Sequence, residues 1–201
     1  MIVGITGKRL SGKDTAGKYL VEKYGFTRIG NADKMKDGVA ALWGITREEV
    51  DEFKDNRGGS LDRVEVHLDV GGTIRYTYGW VEFLQRFGTE MGRDTWGKDT
   101  WVNMAFPLPS LMDELEIAIH GIENIVVTDL RFENEAQRIL DLGGTIIQLL
   151  RPSVIDSEND SHESEAGLPP DLIEYVIENT STLDDLYKDL DAILEHIHAN
   201  S

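Results

Sequence analysis

Gly7-Lys8-Arg9-Leu10-Ser11-Gly12-Lys13 sets two glycines and a lysine at the spacing G-x-x-x-x-G-K, which suits the gripping of a chain of phosphates. Gly7 and Gly12 let the backbone turn back and aim successive N–H groups at phosphate oxygens, with Lys8, Arg9 and Ser11 completing the loop. A helix opening near Lys13 adds the positive end of its dipole, and Lys13 reaches the β- and γ-phosphates as a point charge. Asp14 stands where such loops usually carry the Ser or Thr hydroxyl that binds magnesium, with Thr15 next. The Asp14 carboxylate can hold the metal directly or through a water, and Thr15 can offer an N–H or hydroxyl to the α-phosphate. The competing reading is a glycine-rich turn with an incidental lysine.

Phosphoryl transfer asks the protein mainly to position two anions and neutralise spreading charge. Cations from several segments should therefore converge, and the candidates are Lys13, Lys36, Arg86, Arg93, Arg131 and Arg151. Arg131 lies two residues past Asp129, at the C-terminal edge of an expected central strand, where open α/β sheets bind ligands. It is expected to touch the transferred phosphate, with Asp129 organising magnesium or its waters; a structural Asp–Arg pair is the alternative. Arg86 and Arg93 stand seven apart around Glu90, so a regular helix puts them on one face. That face is either a phosphate clamp or a salt-bridge stripe. Gln85 and Thr89, at i and i+4, can face a base or sugar.

These residues need a scaffold. Ile2 to Thr6 reads as a buried strand before the loop, and Ala16, Leu20 and Tyr24 recur at helical spacing until Gly25. Phe26 to Ile29 reads as a second strand, and Asn31 to Val50 as an interrupted helix. Arg63 to Tyr78 carries two alternating runs around Gly71-Gly72, a hairpin signal. A helix is expected from Val81 to about Gly92, then a Trp-rich loop, then a helix near Leu111 to His120. Ile125 to Thr128 is a third strand ending at Asp129, Glu133 to Leu140 a helix, Thr145 to Leu150 a strand. Arg151 to Pro170 is an acidic, turn-rich loop or lid. Tyr175 to Ile177 is a last short strand before a helix that opens near Ser181 or Thr182. Strands separated by helices point to a three-layer α/β fold with a parallel sheet.

Composition narrows the classes. The 201 residues suit one domain with a modest insertion. There is no cysteine, which excludes disulfides, thiolate nucleophiles and Cys-ligated zinc. A net charge of −17 opposes binding to nucleic acid, although a local cluster of cations can still hold a small anion. No basic leader or membrane-length apolar run stands out, so a cytoplasmic location is expected. His162, among Glu158, Asp160, Glu163 and Glu165, reads as a solvated loop histidine ahead of a metal ligand, and Trp80, Trp96 and Trp101 as packing ahead of base stacking.

Gly7-Lys8-Arg9 with Ser11-Gly12-Lys13-Asp14-Thr15 resembles the phosphate loop of bacteriophage deoxynucleoside monophosphate kinases; animal-type phosphomevalonate kinases share a similar loop. Ala32-Asp33 with Lys36 resembles the phage group's A-D-x-x-K segment. Leu84-Gln85-Arg86-Phe87-Gly88-Thr89-Glu90 with Arg93 and Trp101-Val102 is similar to its central helix and following loop. Asp129-Leu130-Arg131-Phe132-Glu133-Asn134-Glu135 resembles its D-x-R-F-x-N-E element. Arg151-Pro152, His162-Glu163-Ser164-Glu165 and Asn179 resemble its lid and adenine-side segments. The matches run in order from Gly4 to about Leu186, and residues about 55 to 79 stand apart as an insertion.

The resemblance implies a single P-loop kinase domain over 1–201 with a five-stranded parallel sheet, an acceptor-binding arm at about 31–110, an inserted β-hairpin at about 55–79 and a short lid at about 151–170. It implies ATP as donor, magnesium as cofactor and deoxynucleoside monophosphates as acceptors in the cytoplasm of a phage-infected cell. Lys36 is then expected on the acceptor phosphate, Asp33 on its sugar or a water, and Glu135, four residues after Arg131 on the same expected helical face, on its base with Asn134. Arg151 is expected on the donor phosphates and Asn179 beside the adenine. A solvated helix face for Asn134 and Glu135 and a plain strand end for Arg151 are the alternatives. Another phosphorylated acceptor, such as phosphomevalonate or dephospho-coenzyme A, keeps the same chemistry. An ATPase or switch would need a water-activating residue that is not identifiable, and a non-catalytic scaffold would not need Lys13 and the arginines. The hairpin could serve a homodimer, since a ribbon offers unpaired edges.

Overall fold

Ile2–Thr6 (β1) is the central strand, paired along both edges, and Val3 to Thr6 are buried. It runs parallel to Ile125–Leu130 (β5) and to Thr145–Leu150 (β6). Thr27–Arg28 (β2) extends the sheet beyond β5, and Tyr175–Glu178 (β7) beyond β6, giving the parallel order β2-β5-β1-β6-β7. Near-continuous apolar runs such as IVGIT and TIIQLL suit strands covered on both sides. The computed structural model describes residues 1–55, 66–69, 74–106, 124–152 and 167–200. The helix expected near Leu111–His120, most of the expected lid with His162, and the Gly71-Gly72 turn lie outside the described residues.

The chain divides into two compact units, Met1–Asn31 with Phe106–Ser201, and Ala32–Ala105. In the first, Lys13–Tyr24 (α1) follows β1 and buries Ala16, Gly17 and Leu20. Gly25 ends it in the left-handed conformation, its N–H reaching the Leu20 and Val21 carbonyls. The last helix of this unit, Leu183–Asn200, buries Leu186, Leu190 and Leu194 in the same core as Leu20, Leu149 and Ile177. Tyr19 stacks on Tyr187 at 4.0 Å. Asp191 accepts hydrogen bonds from the hydroxyls of Tyr19 and Tyr24, each 2.7 Å, and from Lys23, which ties α1 to the last helix.

That helix opens on a reciprocal cap. Thr182 Oγ1 accepts from the Asp185 N–H, and Asp185 Oδ2 accepts from the Thr182 N–H, each at 3.3 Å, with the Ser181 and Thr182 hydroxyls adding bonds of 2.6 and 2.7 Å. Those hydroxyls, Ser181 first, hold the Asp185 carboxyl down at about 2, below its ordinary 3.8. A depressed carboxylate contributes stability above the unfolded pKa and loses it as pH falls through the folded value. The difference in Tm between the wild type and Asp185→Asn should therefore hold steady above pH 5 and shrink from pH 4 to 2. A difference unchanged across that window would refute the cap.

In the second unit, Asp33–Trp43 (α2) and Arg47–Asp55 (α3) flank Gly44, the break in the expected Asn31–Val50 helix. Val66–Asp69 (β3) and Ile74–Tyr78 (β4) form the expected antiparallel hairpin, pairing Val66 with Tyr78 and His67 with Thr77. Trp80–Arg86 (α4) then continues into a π-helical stretch, Phe87–Arg93, and a short turn, Asp94–Trp96 (α5). The segment expected to be a Trp-rich loop contains a further helix, Thr100–Ala105 (α6), with Trp101 and Val102 buried. Packing explains it: the Trp101 N–H donates to the Gly88 carbonyl at 2.7 Å, and a Cβ at Gly92 would lie 2.4 Å from the indole. Trp80, Phe83, Phe87 and Trp101 form the core of this unit with Met35, Val39 and Val50, so packing accounts for Trp80 and Trp101, whereas Trp96 is exposed.

Candidate active site

The loop after β1 is shaped by positions that tolerate little besides glycine. Gly7 has φ +143°, and a Cβ there would meet the Leu149 carbonyl oxygen at 2.4 Å; Gly12 has φ +106°, and a Cβ there would meet Asn179 Nδ2 at 2.6 Å. The Ser11 N–H donates to the Lys8 carbonyl at 3.1 Å. Lys13, in the first turn of α1, lays its ammonium across the mouth of the loop, 2.6 Å from the Gly7 carbonyl and 2.7 Å from that of Lys8. Ser11 Oγ is fully buried and unpartnered among the described residues. Lys8, Arg9 and Asp14 are exposed, and Thr15 is half-buried.

Other expected residues gather at the same C-terminal edge of the sheet. Asn179, just past β7, donates its side-chain amide to the Ser11 carbonyl at 2.8 Å and its N–H to Leu150 at 2.7 Å, so it braces the loop backbone. Arg151, just past β6, reaches the Leu10 carbonyl at 3.4 Å. Asp129 lies within β5, which runs two residues beyond the expected end at Thr128, and its Oδ1 accepts from the Asn31 N–H at 3.1 Å. Arg131 follows the strand directly. Strands β5 and β6 flank β1, so their C-terminal ends bracket the loop, the place where an open sheet presents ligand groups.

Glu133–Asp141 (α7) follows. Arg131 precedes it and so does not share a helical face with Glu135. Instead Glu135, buried, accepts from the N–H groups of Arg131 at 2.9 Å and Phe132 at 3.1 Å, capping the helix and fixing the Arg131 backbone. Asn134 is half-buried beside it. Hydrogen bonds to a charged group contribute about 1.5–3 kcal/mol, so Glu135→Ala should lower unfolding stability by about that amount, read from urea denaturation. A loss under about 0.5 kcal/mol would refute the cap.

Asn31 was not singled out by its sequence context. Its side chain is 3% exposed, and neither amide atom has a hydrogen-bond partner among the described residues. An unmade bond at a buried donor or acceptor costs about 1–3 kcal/mol.

In the second unit, the expected acceptor-side groups stand in a charge network. Lys36 donates to Asp51, and Arg47 bonds Asp33 at 2.7 Å, Asp37 at 3.2 Å and Asp51. Burial pushes the Asp51 carboxyl up, but the Lys36 hydrogen bond and the two cations outweigh it and hold it low. Arg47 and Asp51 had no motif to reveal them; only their i,i+4 spacing hints at a pair. Arg86 bonds Glu82 at 3.0 Å and Glu90 at 2.7 Å, the salt-bridge stripe. Arg93 does not share its face: the π-helical turns between them, wider than 3.6 residues, leave Arg93 buried at 7% exposure. Gln85 and Thr89 are half-buried.

A five-stranded parallel sheet with helices, whose first strand feeds a glycine-shaped loop crossed by a lysine, defines a P-loop phosphotransferase. Residues 73–190 match the family Deoxynucleotide monophosphate kinase. The chain belongs to that family and is a nucleoside monophosphate kinase using a nucleotide as phosphate donor. The enterobacteria phage T4 deoxynucleotide monophosphate kinase is 22% identical over 92% of this chain and 95% of the relative. A protein of Acanthamoeba polyphaga mimivirus named for the same activity is 27% identical over 94% of each. A dephospho-CoA kinase of Fusobacterium nucleatum is 26% identical over 98% of each. Among the described residues, no helix is long and apolar enough to cross a membrane.

Proposed function

We propose that the chain transfers the γ-phosphate of ATP to deoxynucleoside monophosphates, yielding ADP and the diphosphate. The observation that carries this is the Lys13 ammonium across the glycine-shaped loop in a chain of this family. Lys13 and the loop N–H groups hold the donor phosphates, with Lys8, Arg9, Ser11 and Thr15 lining them and Asn179 bracing the loop. Arg131 and Arg151 neutralise the transferred phosphoryl group. An acceptor phosphate oxyanion is already a competent nucleophile, so no general base is assigned. Asp33, Lys36, Gln85, Arg86, Thr89, Arg93 and Asn134 serve the acceptor. For Lys36 and Asp33 this means exchanging Asp51 and Arg47 for the ligand, and Glu135 acts by fixing the Arg131 backbone.

Magnesium suits the acidic and polar groups present. The described residues hold no cluster of three or more His, Cys, Asp or Glu side chains able to bind a metal, yet this ion commonly keeps several waters and takes one or two carboxylates plus phosphate oxygens. Asp14 and Asp129 would supply those carboxylates, and the unpartnered Asn31 amide a place for a bound water. When bound, the ion would offset the negative charge of the donor phosphates. A screen of the four deoxynucleoside monophosphates, their ribonucleotide counterparts and dephospho-coenzyme A, read as acceptor-dependent ADP release, tests the function. Turnover with dephospho-coenzyme A alone, or hydrolysis without any acceptor, would overturn it.

A further inference from the structure

Asn31 lies at the C-terminal edge of the sheet, where the β2–β5 pairing continues through the Ile29 N–H to the Val126 carbonyl at 3.0 Å. Its own N–H then anchors Asp129 Oδ1 at 3.1 Å. Beside this anchor its side chain, 3% exposed, buries a carbonyl and an amide that have no partner among the described residues. Native proteins rarely leave such a group unmet, and an unsatisfied one calls for an unseen water, ion or ligand. The amide offers an acceptor at one end and two donors at the other. A phosphate oxygen alone answers only the donor end. A water polarised by a cation donates strongly, and so answers the acceptor end next to the Asp129 carboxylate.

We propose that Asn31 is a positioning residue for the divalent cation: its Oδ1 accepts a hydrogen bond from a cation-bound water beside Asp129, and its Nδ2 donates to a phosphoryl oxygen of the nucleotide. This rests on the magnesium reading above. The anchor to Asp129 uses the main-chain N–H, so changing the side chain leaves Asp129 in place.

Manganese is the probe. Its binding to the protein–ATP complex is measured by electron paramagnetic resonance without acceptor, along with metal-free ATP affinity and the Tm of the ligand-free protein. Asn31→Ala should weaken manganese by about tenfold or more, as loss of an outer-shell partner does, with metal-free ATP affinity unchanged. Asn31→Asp keeps an acceptor oxygen and should retain manganese affinity within about threefold. Because the amide is unpartnered, Asn31→Ala should match or exceed the wild-type Tm. Wild-type manganese affinity in Asn31→Ala would overturn the proposal, and so would a clear fall in Tm or a failure to fold, since the side chain would then hold structure. If wild-type protein bound ATP with no help from manganese, the magnesium reading would fall and this proposal with it. Metal-coupled wild-type binding that Asn31→Ala leaves intact would sink the Asn31 role alone.

Discussion

Lys13→Ala should lower kcat/KM by about a thousandfold or more while the protein stays folded. Removing a single fixed donor from developing negative charge commonly costs 10²–10³-fold, equivalent to about 3–4 kcal/mol of barrier. Lys13 brings a full charge, and its ammonium sits at the loop mouth, 2.6 and 2.7 Å from two loop carbonyls. The fold should survive because other groups shape the loop: the glycine conformations, the Ser11–Lys8 turn and the brace from Asn179. Circular dichroism should be unchanged, and Tm should move by no more than about 4 °C, the shift expected from about 1 kcal/mol in a chain of this size. Lys13→Arg should recover little, since a planar fork does not replace a compact point charge. Turnover above a tenth of wild type in Lys13→Ala would remove the phosphate-loop assignment.

Arg131→Ala should cut kcat by about 10³-fold, as arginines that meet transition-state charge on a phosphoryl group do. Its position favours such a role, at the end of β5 and held by Glu135 through the main-chain N–H at 2.9 Å. That bond persists in the alanine variant, so the loss is chemical rather than structural. A group acting only in the transition state lowers kcat and kcat/KM equally. Steady-state kinetics should therefore show KM for ATP nearly constant. A change confined to KM, with kcat retained, would make Arg131 an ordinary binding group. Arg131→Lys should restore activity only in part, because the bidentate geometry is lost.

The parts of the fold set by near neighbours were readable in advance. β1, α1 with its Gly25 stop, and β6 fall on the residues expected, because strand burial, helical spacing and left-handed glycine act within a few positions. The hairpin was equally visible from alternation around paired glycines. Helix α6 was not. Its residues carry weak local signals, and its stability comes from Trp101 packing against Gly92 and bonding Gly88. The Arg86–Arg93 face was misjudged because seven-residue spacing presumes 3.6 residues per turn, and a π-helical stretch changes the phase.

The amino-acid sequence by itself determined the phosphate loop, the identity of its lysine and the alternation of strands and helices, all consequences of spacing and backbone sterics over short distances. Tertiary structure alone decided how polar groups are spent. It gave Glu135 to the Arg131 backbone and Lys36 to Asp51, and it left the Asn31 amide without a partner among the described residues, beside a carboxylate 98 positions away. Hydrogen bonds are short and directional, so which groups meet depends on how distant strands are brought together in space.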